Sequence, residues 1–351
     1  MIDLAAYPTW LSAILFIVSA ATVWFAGSRL TVQAAVISDR TGLGEVFVGG
    51  LLLAVATSLP EIGRTITASV HGDALLAIDS LFGGITLQTA VLAIADLAAA
   101  RLTLTYFAPR PTLLLGGTLV VLLLGVTLAA IATGEIVHLY SVGLWTAILF
   151  GLYLFSLYAL KSYEPAEKWR PVDVPEELKQ IELVGYGTRL AHHQKSLVTI
   201  CLLFAASSAV LFVAGAMLAV VGDALARQTG LGAGFVGATL LALASSLPEM
   251  TVTVSAVRMG AYPMAISNIF GTNAFLIALL FVADLFYRPG PILHAVDRST
   301  AFLAAVGIIA TCVYLVGMIE RRNRVVLGMG IDSLVVLIIY PLSLVVLYLI
   351  R

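Results

Sequence analysis

The chain has 351 residues, 60% of them hydrophobic and only 11% charged, with a formal net charge of −1. A soluble domain carries about 25% charged residues. A mean hydropathy of +1.04 together with that deficit excludes a soluble globular protein and describes a polytopic helical membrane protein. The near-neutral balance supplies no basic footprint for nucleic acid.

The N-terminus, "MIDLAAYPTW", lacks the positive region and small-residue cleavage site of a signal peptide, so the first apolar run is expected to be a retained transmembrane helix. A spanning helix needs about 20 predominantly apolar residues. By that rule ten spans are expected, at about 9–28, 44–70, 74–98, 112–133, 140–160, 197–221, 232–257, 263–286, 300–319 and 331–350. The long polar segment between them, 161–195, is broken by prolines and reads as a solvated linker. Its part from Pro175 to about Gln194 also suits an amphipathic helix on the membrane surface. Cys201 and Cys312 lie in apolar runs and read as small hydrophobes, with no disulfide or metal spacing.

Lysine and arginine set the expected orientation. With the N-terminus outside, 14 of the 19 fall in inner loops and five outside. This places both termini on the extracytoplasmic side of a multi-pass cell-membrane protein and the linker in the cytoplasm.

"TGLGEVFVGGLLLAVATSLPE" (41–61) aligns without gaps to "TGLGAGFVGATLLALASSLPE" (229–249), at a constant offset of 188. The match runs on to "AIADL" (93–97) against "FVADL" (281–285). Apolar helices resemble one another by composition, but gapless identity at Gly, Pro, Glu and Asp is much harder to obtain that way. Five spans separate the copies, and an odd number reverses the second in the membrane. The expected fold is therefore all-α: ten transmembrane helices as two inverted five-helix repeats, 1–160 and 197–351, joined by the linker 161–196. Inverted repeats mark secondary transporters, with sites near the midplane where the repeats meet.

Each copy places a proline and a glutamate inside an apolar span. Pro60 and Pro248 have no amide hydrogen, so each is expected to kink its helix and free the carbonyl four residues earlier, at Ala56 and Ala244. Irregular backbone survives in lipid only where it lines a cavity or meets an ion. Thr57 and Ser58 precede one kink, Ser245 and Ser246 the other, and Thr57–Glu61 and Ser245–Glu249 are i,i+4 partners on one face. Carboxylate, hydroxyl and carbonyl oxygens suit hard cations such as Ca²⁺. With no imidazole or thiolate nearby, zinc and copper are disfavoured.

These segments resemble the α-repeats of the cation/calcium antiporter superfamily, which includes the sodium/calcium exchangers. That family carries "SLPE"-like motifs on its second and seventh spans and "GN-x-x-GSN-x-x-[ND]"-like motifs on its third and eighth. The second copy of the latter here is "SNIFGTNAFL" (267–276), with Asn268, Gly271, Thr272 and Asn273 at motif positions. The first, "DSLFGGITLQ" (79–88), has Gly84 where the family has serine, Ile85 where it has asparagine, and Gln88 at the final amide or acid position. The resemblance spans essentially the whole chain. It implies that Glu61 and Glu249 are the central bidentate ligands, completed by backbone oxygens of Ala54, Thr57, Ala242 and Ser245 and hydroxyls of Ser58, Ser246 and Thr272. Asn268 and Gln88 join the candidate set by their motif positions. It further implies exchange of Ca²⁺ for Na⁺, the two competing for overlapping ligands, with long tilted first and sixth spans sliding to give alternating access.

The sequence departs from that pattern in specific places. Leu276 stands where many exchangers have an acidic or amide ligand. The first copy adds Arg64 opposite Val252 and Asp79 opposite Ser267. The expectation is that Arg64 points outward or pairs with Asp79, leaving Glu61 free. The other reading pairs it with Glu61 and changes the substrate or coupling ion, for instance to a proton carried by Glu61 or Asp79. His71 is expected among headgroups, and Asp96 and Asp284 at solvated helix ends. The sequence reads as a secondary cation antiporter of Na⁺/Ca²⁺ type, with proton-coupled exchange as the alternative and a degenerate non-transporting relative as a third reading. An enzyme finds no support: there is no H-E-x-x-H, GxGD-type aspartate pair or Ser/His arrangement. No cofactor is expected; Ca²⁺, Na⁺ and H⁺ are cargo. The expected partners are the bilayer and small inorganic cations, and the sequence leaves the oligomeric state open, a monomer being compatible with it.

Overall fold

The computed structural model describes residues 8–98, 103–108, 110–139, 141–163, 195–228 and 244–350. It is mostly helical. Among the described residues eight helices are long and apolar enough to cross a bilayer, or nine when one bent pair counts as a single span. The remaining expected span, 232–257, is described only from residue 244, and most of the linker lies outside the described residues.

Helix α1 (Thr9–Thr41) runs 33 residues and ends on Gly42, whose φ of +66° lets its amide reach back to the Ser38 carbonyl. At 1.5 Å per residue it is roughly 50 Å long, well beyond a bilayer core of about 30 Å. The broken span follows, as α2 (Glu45–Thr57) and α3 (Leu59–Val70), meeting at 52°. Within α2 the turn Gly49–Leu53 is a π-helix. Next come α4 (Ala74–Leu97), α5 (Pro111–Thr133) and α6 (Leu144–Tyr163), with a two-residue hairpin of β1 (His138–Leu139) and β2 (Val142–Gly143) before α6. The second part of the chain holds α7 (Leu197–Gln228, 32 residues), α8 (Leu247–Arg258), α9 (Tyr262–Phe286), α10 (Arg298–Glu320) and α11 (Ile331–Ile350). Hairpin β3 (Val325–Val326) and β4 (Met329–Gly330) precedes α11.

Large apolar side chains are exposed on the outer helices as well as buried between them. The two long helices α1 and α7 pack along each other more extensively than any other pair. They turn Trp10, Ile17, Phe25, Val198, Leu202 and Val213 outward. The apolar windows of α4 and α9 are 67% buried, so these two helices form the centre. There α9 meets α2 backbone to backbone: a Cβ added at Gly271 would strike the backbone of Gly50. Buried hydroxyls along the bundle, such as Thr31, Thr89, Thr127 and Thr311, donate to carbonyls one turn back, which satisfies them without a distant partner.

Asp96 and Asp284 overturn the expectation of solvated helix ends, since both are 0% exposed. Asp96 accepts from the amides of Leu104 and Gly330, each at 2.7 Å. Asp284 accepts from the amides of Ile292 and Gly143, each at 2.7 Å, and from the Thr146 hydroxyl at 2.6 Å. Each carboxylate thus ties the end of a central helix to a hairpin from the other part of the chain. Backbone donors explain how a charge is held there without water.

Candidate cation site at two broken helices

The same local turn precedes α3 and α8, and at the first copy it separates two described helices. Ser58 (φ −88°, ψ 8°) and Ser246 (φ −91°, ψ 3°) leave the helical track in the same way. Pro60 and Pro248 then lie in the first turn of a new helix, where a missing amide hydrogen costs nothing. At the first copy the proline therefore does more than kink a continuous helix: it starts a second one. Glu61 and Glu249 fall in the first turns of α3 and α8, whose amide ends favour negative charge.

Both breaks rest against α7. A Cβ at Gly215 would lie 3.4 Å from Pro60 Cγ and 3.5 Å from Pro248 Cγ, so this glycine touches the two prolines at once. Helices α3 and α8 each pack on α4 and α9. The Thr57 hydroxyl is buried at the first break. That hydroxyl spends its proton on the carbonyls of Leu53 and Ala54, at 3.1 and 3.2 Å.

Seven buried oxygens of six residues here have no hydrogen-bond partner: Ser58 Oγ, Glu61 Oε2, Gln88 Oε1, both carboxylate oxygens of Glu249, Asn268 Oδ1 and Asn273 Oδ1. Glu249, Asn268, Thr272 and Asn273 are each 0% exposed. Leaving one such atom unpaired costs about 1–3 kcal/mol, more when it is charged. The amide nitrogens of Asn268 and Asn273 are fixed by Thr253 and Thr89, at 3.2 and 2.9 Å, which leaves their oxygens as acceptors. Thr272 donates to the Asn268 carbonyl at 2.8 Å and keeps its lone pairs. Among the described residues no three of His, Cys, Asp and Glu converge. A cation here would rest on two carboxylates and neutral oxygens, the donor set of a hard ion.

Other candidates stand apart from this cluster. The Ala54 carbonyl already accepts from the Ser58 amide at 3.1 Å and from Thr57, so this conformation does not present it to an ion. Asp79 accepts from Thr300 at the start of α10, at 3.0 Å. Ser245 and Ser246 sit at the second break, half-buried and buried. Ala242 lies outside the described residues. The expectation that Arg64 turns outward or pairs with Asp79 is corrected: its Nη2 lies 3.8 Å from Glu61 Oε1. Three residues on a helix separate them, the spacing that brings side chains onto one face. The candidate set also omitted Asn273, although it sits at a motif position; its buried, unpartnered Oδ1 brings it in. Leu276 fills the space beside Gly84, where a Cβ would come within 3.2 Å of its Cδ1. An apolar contact thus occupies the place of a polar ligand.

The fold is that of a polytopic helical membrane protein with carboxylates and amides buried on and beside its central helices. The family model described as "Sodium/calcium exchanger protein" matches residues 11–162 and again 199–349. The chain belongs to this family, whose members are membrane ion antiporters and not enzymes. It is 25% identical over 307 residues to "Inner membrane protein YrbG" of Escherichia coli (strain K12), covering 86% of this chain and 89% of that one. Over 109 residues it is 36% identical to "Sodium/calcium exchanger MaX1" of Methanosarcina acetivorans, covering 30% and 31%. Solved structures of the sodium-calcium exchanger NCX_Mj share the fold: one soaked with Na⁺ and Sr²⁺ gives a TM-score of 0.69 at 16% identity, covering 96% of this chain and 99% of that one. Another, with Na⁺ and no Ca²⁺, gives 0.70 at 15% over the same shares.

Proposed function

We propose that the chain is a secondary active antiporter of small inorganic cations that works by alternating access around the two SLPE breaks. Its halves, 1–160 and 197–351, act as inverted five-helix repeats, with 161–196 as a cytoplasmic linker and both termini outside. The observation that carries this reading is the pair of glutamates in the first turns of α3 and α8, Glu61 partly and Glu249 fully buried, with both carboxylate oxygens of Glu249 free of any hydrogen bond. Glu61, Glu249, Asn268, Thr272, Asn273, Ser58 and Gln88 are the proposed ligands, joined by backbone oxygens at the breaks. Na⁺/Ca²⁺ exchange is the leading form, because the named exchangers this chain resembles exchange those ions.

Proton-coupled exchange is the second form, favoured by the Arg64–Glu61 contact and by Leu276 in a ligand position. Reconstitution into proteoliposomes with Na⁺, Ca²⁺ and pH gradients varied independently tests both. Ca²⁺ uptake driven by an outward Na⁺ gradient supports the first, and uptake that follows only the pH gradient supports the second. Flux under no combination of gradients would overturn antiport itself.

A further inference from the structure

We infer that Arg64 is a tethered counter-cation: its guanidinium competes with the transported ion for Glu61 and sets the site against divalent ions. This rests on the antiport reading above. With both carboxylates ionised around a cation, Glu61 and Glu249 carry two negative charges, and a guanidinium on Glu61 cancels one of them. One monovalent ion then balances the pair, whereas a divalent ion leaves an excess positive charge away from water, which is costly.

Geometry places Arg64 to do this reversibly. Side-chain exposure falls from 37% at Arg64 to 11% at Glu61, and Glu249 is 0% exposed. The guanidinium thus sits at the outer lip of the pair, reaching inward to one carboxylate with its own head partly in the open. At 3.8 Å the contact lies at the loose end of an ion pair, so the long side chain can leave without breaking a short hydrogen bond. A divalent ion that bridges both glutamates must displace it; a monovalent ion on Glu249 need not.

The second copy shows what the site is without such a device. Val252, at the place matching Arg64, is fully buried and uncharged. Nothing positive accompanies Glu249 on its own helix until Arg258 in the last turn. The neutral donors change in the same direction. Leu276 closes over Gly84, and each lacks the oxygen that the other copy carries at the matching place, Gln88 and Thr272, so the shell is poorer in donors as well as in charge. Ca²⁺ wants six to eight oxygens.

The test is titration of the full-length purified protein with Ca²⁺ and, separately, with Na⁺, in wild type, Arg64→Ala, Arg64→Gln and Arg64→Lys. Removing the charge should tighten Ca²⁺ by about tenfold or more, equivalent to roughly 1.4 kcal/mol, and change Na⁺ less. Arg64→Gln keeps length and polarity if the alanine variant folds poorly. Arg64→Lys keeps the charge and should stay close to wild type, which a purely structural role for the arginine fork would not predict. Unchanged or weaker Ca²⁺ binding in both neutral variants, with wild-type exchange intact, overturns the inference and leaves antiport standing. Binding of neither ion and flux in none of the proteins overturns both.

Discussion

At Ser58 and Ser246 the chain makes the same break, but the helices that follow carry different charges. Arg64 faces Glu61 in α3, while a buried valine holds the matching place after Glu249 in α8. Backbone geometry and side-chain content have separated: φ and ψ agree within a few degrees, yet one glutamate has an arginine three residues on along its helix and the other a valine. Proline, helix end and glutamate are what a break needs in lipid, and both copies keep them. The residues around the carboxylate answer to the ion, and those differ. The two glutamates should therefore not be interchangeable.

The largest effect is expected from Glu249→Gln. It removes the carboxylate with no partner, and with it most of the attraction for an ion. Cation affinity should fall on the order of 100-fold, the scale of two successive 1.4 kcal/mol steps. Glu61→Gln should cost less, because Arg64 already offsets that charge. Cation-induced thermal stabilisation reads both, since an ion that binds only the folded state raises its apparent stability. Equal losses in the two variants would mean that the difference between the breaks has no energetic consequence.

The carboxylate clasps provide the next comparison. Asp284→Asn and Asp96→Asn each replace an acceptor of short backbone hydrogen bonds by an amide that must turn a donor toward one of them. A loss of about 1.5–3 kcal/mol is expected for each, the usual worth of bonds to a charged group. Asp284, with the Thr146 hydroxyl as a third donor, should lose more. Thermal unfolding in detergent measures this, and the preference between Ca²⁺ and Na⁺ should not move. A change in ion preference would connect the clasps to the site.

How much of this was legible in the sequence differs from one feature to the next. Long apolar runs delimit some spans almost to the residue, 74–98 against Ala74–Leu97 and 331–350 against α11, but the expected 9–28 and 197–221 run on as Thr9–Thr41 and Leu197–Gln228, because a helix does not stop where its apolar run does. The gapless repeat located both breaks, because proline and glutamate are rare enough in lipid to be read singly. The partner of Arg64 was not legible, since a side chain three residues past Glu61 can also turn toward another helix. The clasps were hidden for another reason. Asp96 meets Gly330 and Asp284 meets Gly143, contacts 234 and 141 residues apart in the chain. At a helix end an aspartate held by distant amides looks like one in water. The π-turn at Gly49–Leu53 and the fit of Leu276 over Gly84 depend on packing alone.

Two matched glycines probe how the long helices meet the breaks. Gly27 of α1 lies against Thr251 of α8, where an added Cβ would come within 2.8 Å of the threonine methyl. Gly215 of α7 meets the prolines at 3.4 and 3.5 Å, ordinary contact distances. Gly27→Ala should therefore cost about 1–3 kcal/mol through overpacking. Gly215→Ala should stay within roughly 0.5 kcal/mol. The order of melting temperatures decides it: a Gly215→Ala variant melting below Gly27→Ala would place the tighter joint at the prolines.

The smallest effect is expected from Gln88→Leu, which gives the first copy the residue that the second has at Leu276. Gln88 is 1% exposed and its Oε1 has no partner, so its oxygen is available to an ion or a water. It brings a dipole and no net charge, and a neutral hydrogen-bonding contribution is about 0.5–1.5 kcal/mol. Affinity should thus fall by roughly two- to tenfold, well short of the loss from Glu249→Gln. Leucine is close in volume and removes an unpaired polar atom from the core, so thermal stability without added cations should hold or rise. Calorimetric titration beside a melting curve separates the two effects. A fall in affinity as large as that of Glu249→Gln would make the amide, not the carboxylate pair, the centre of the site. The neighbouring Leu276–Gly84 contact would then be the change that matters most in this chain.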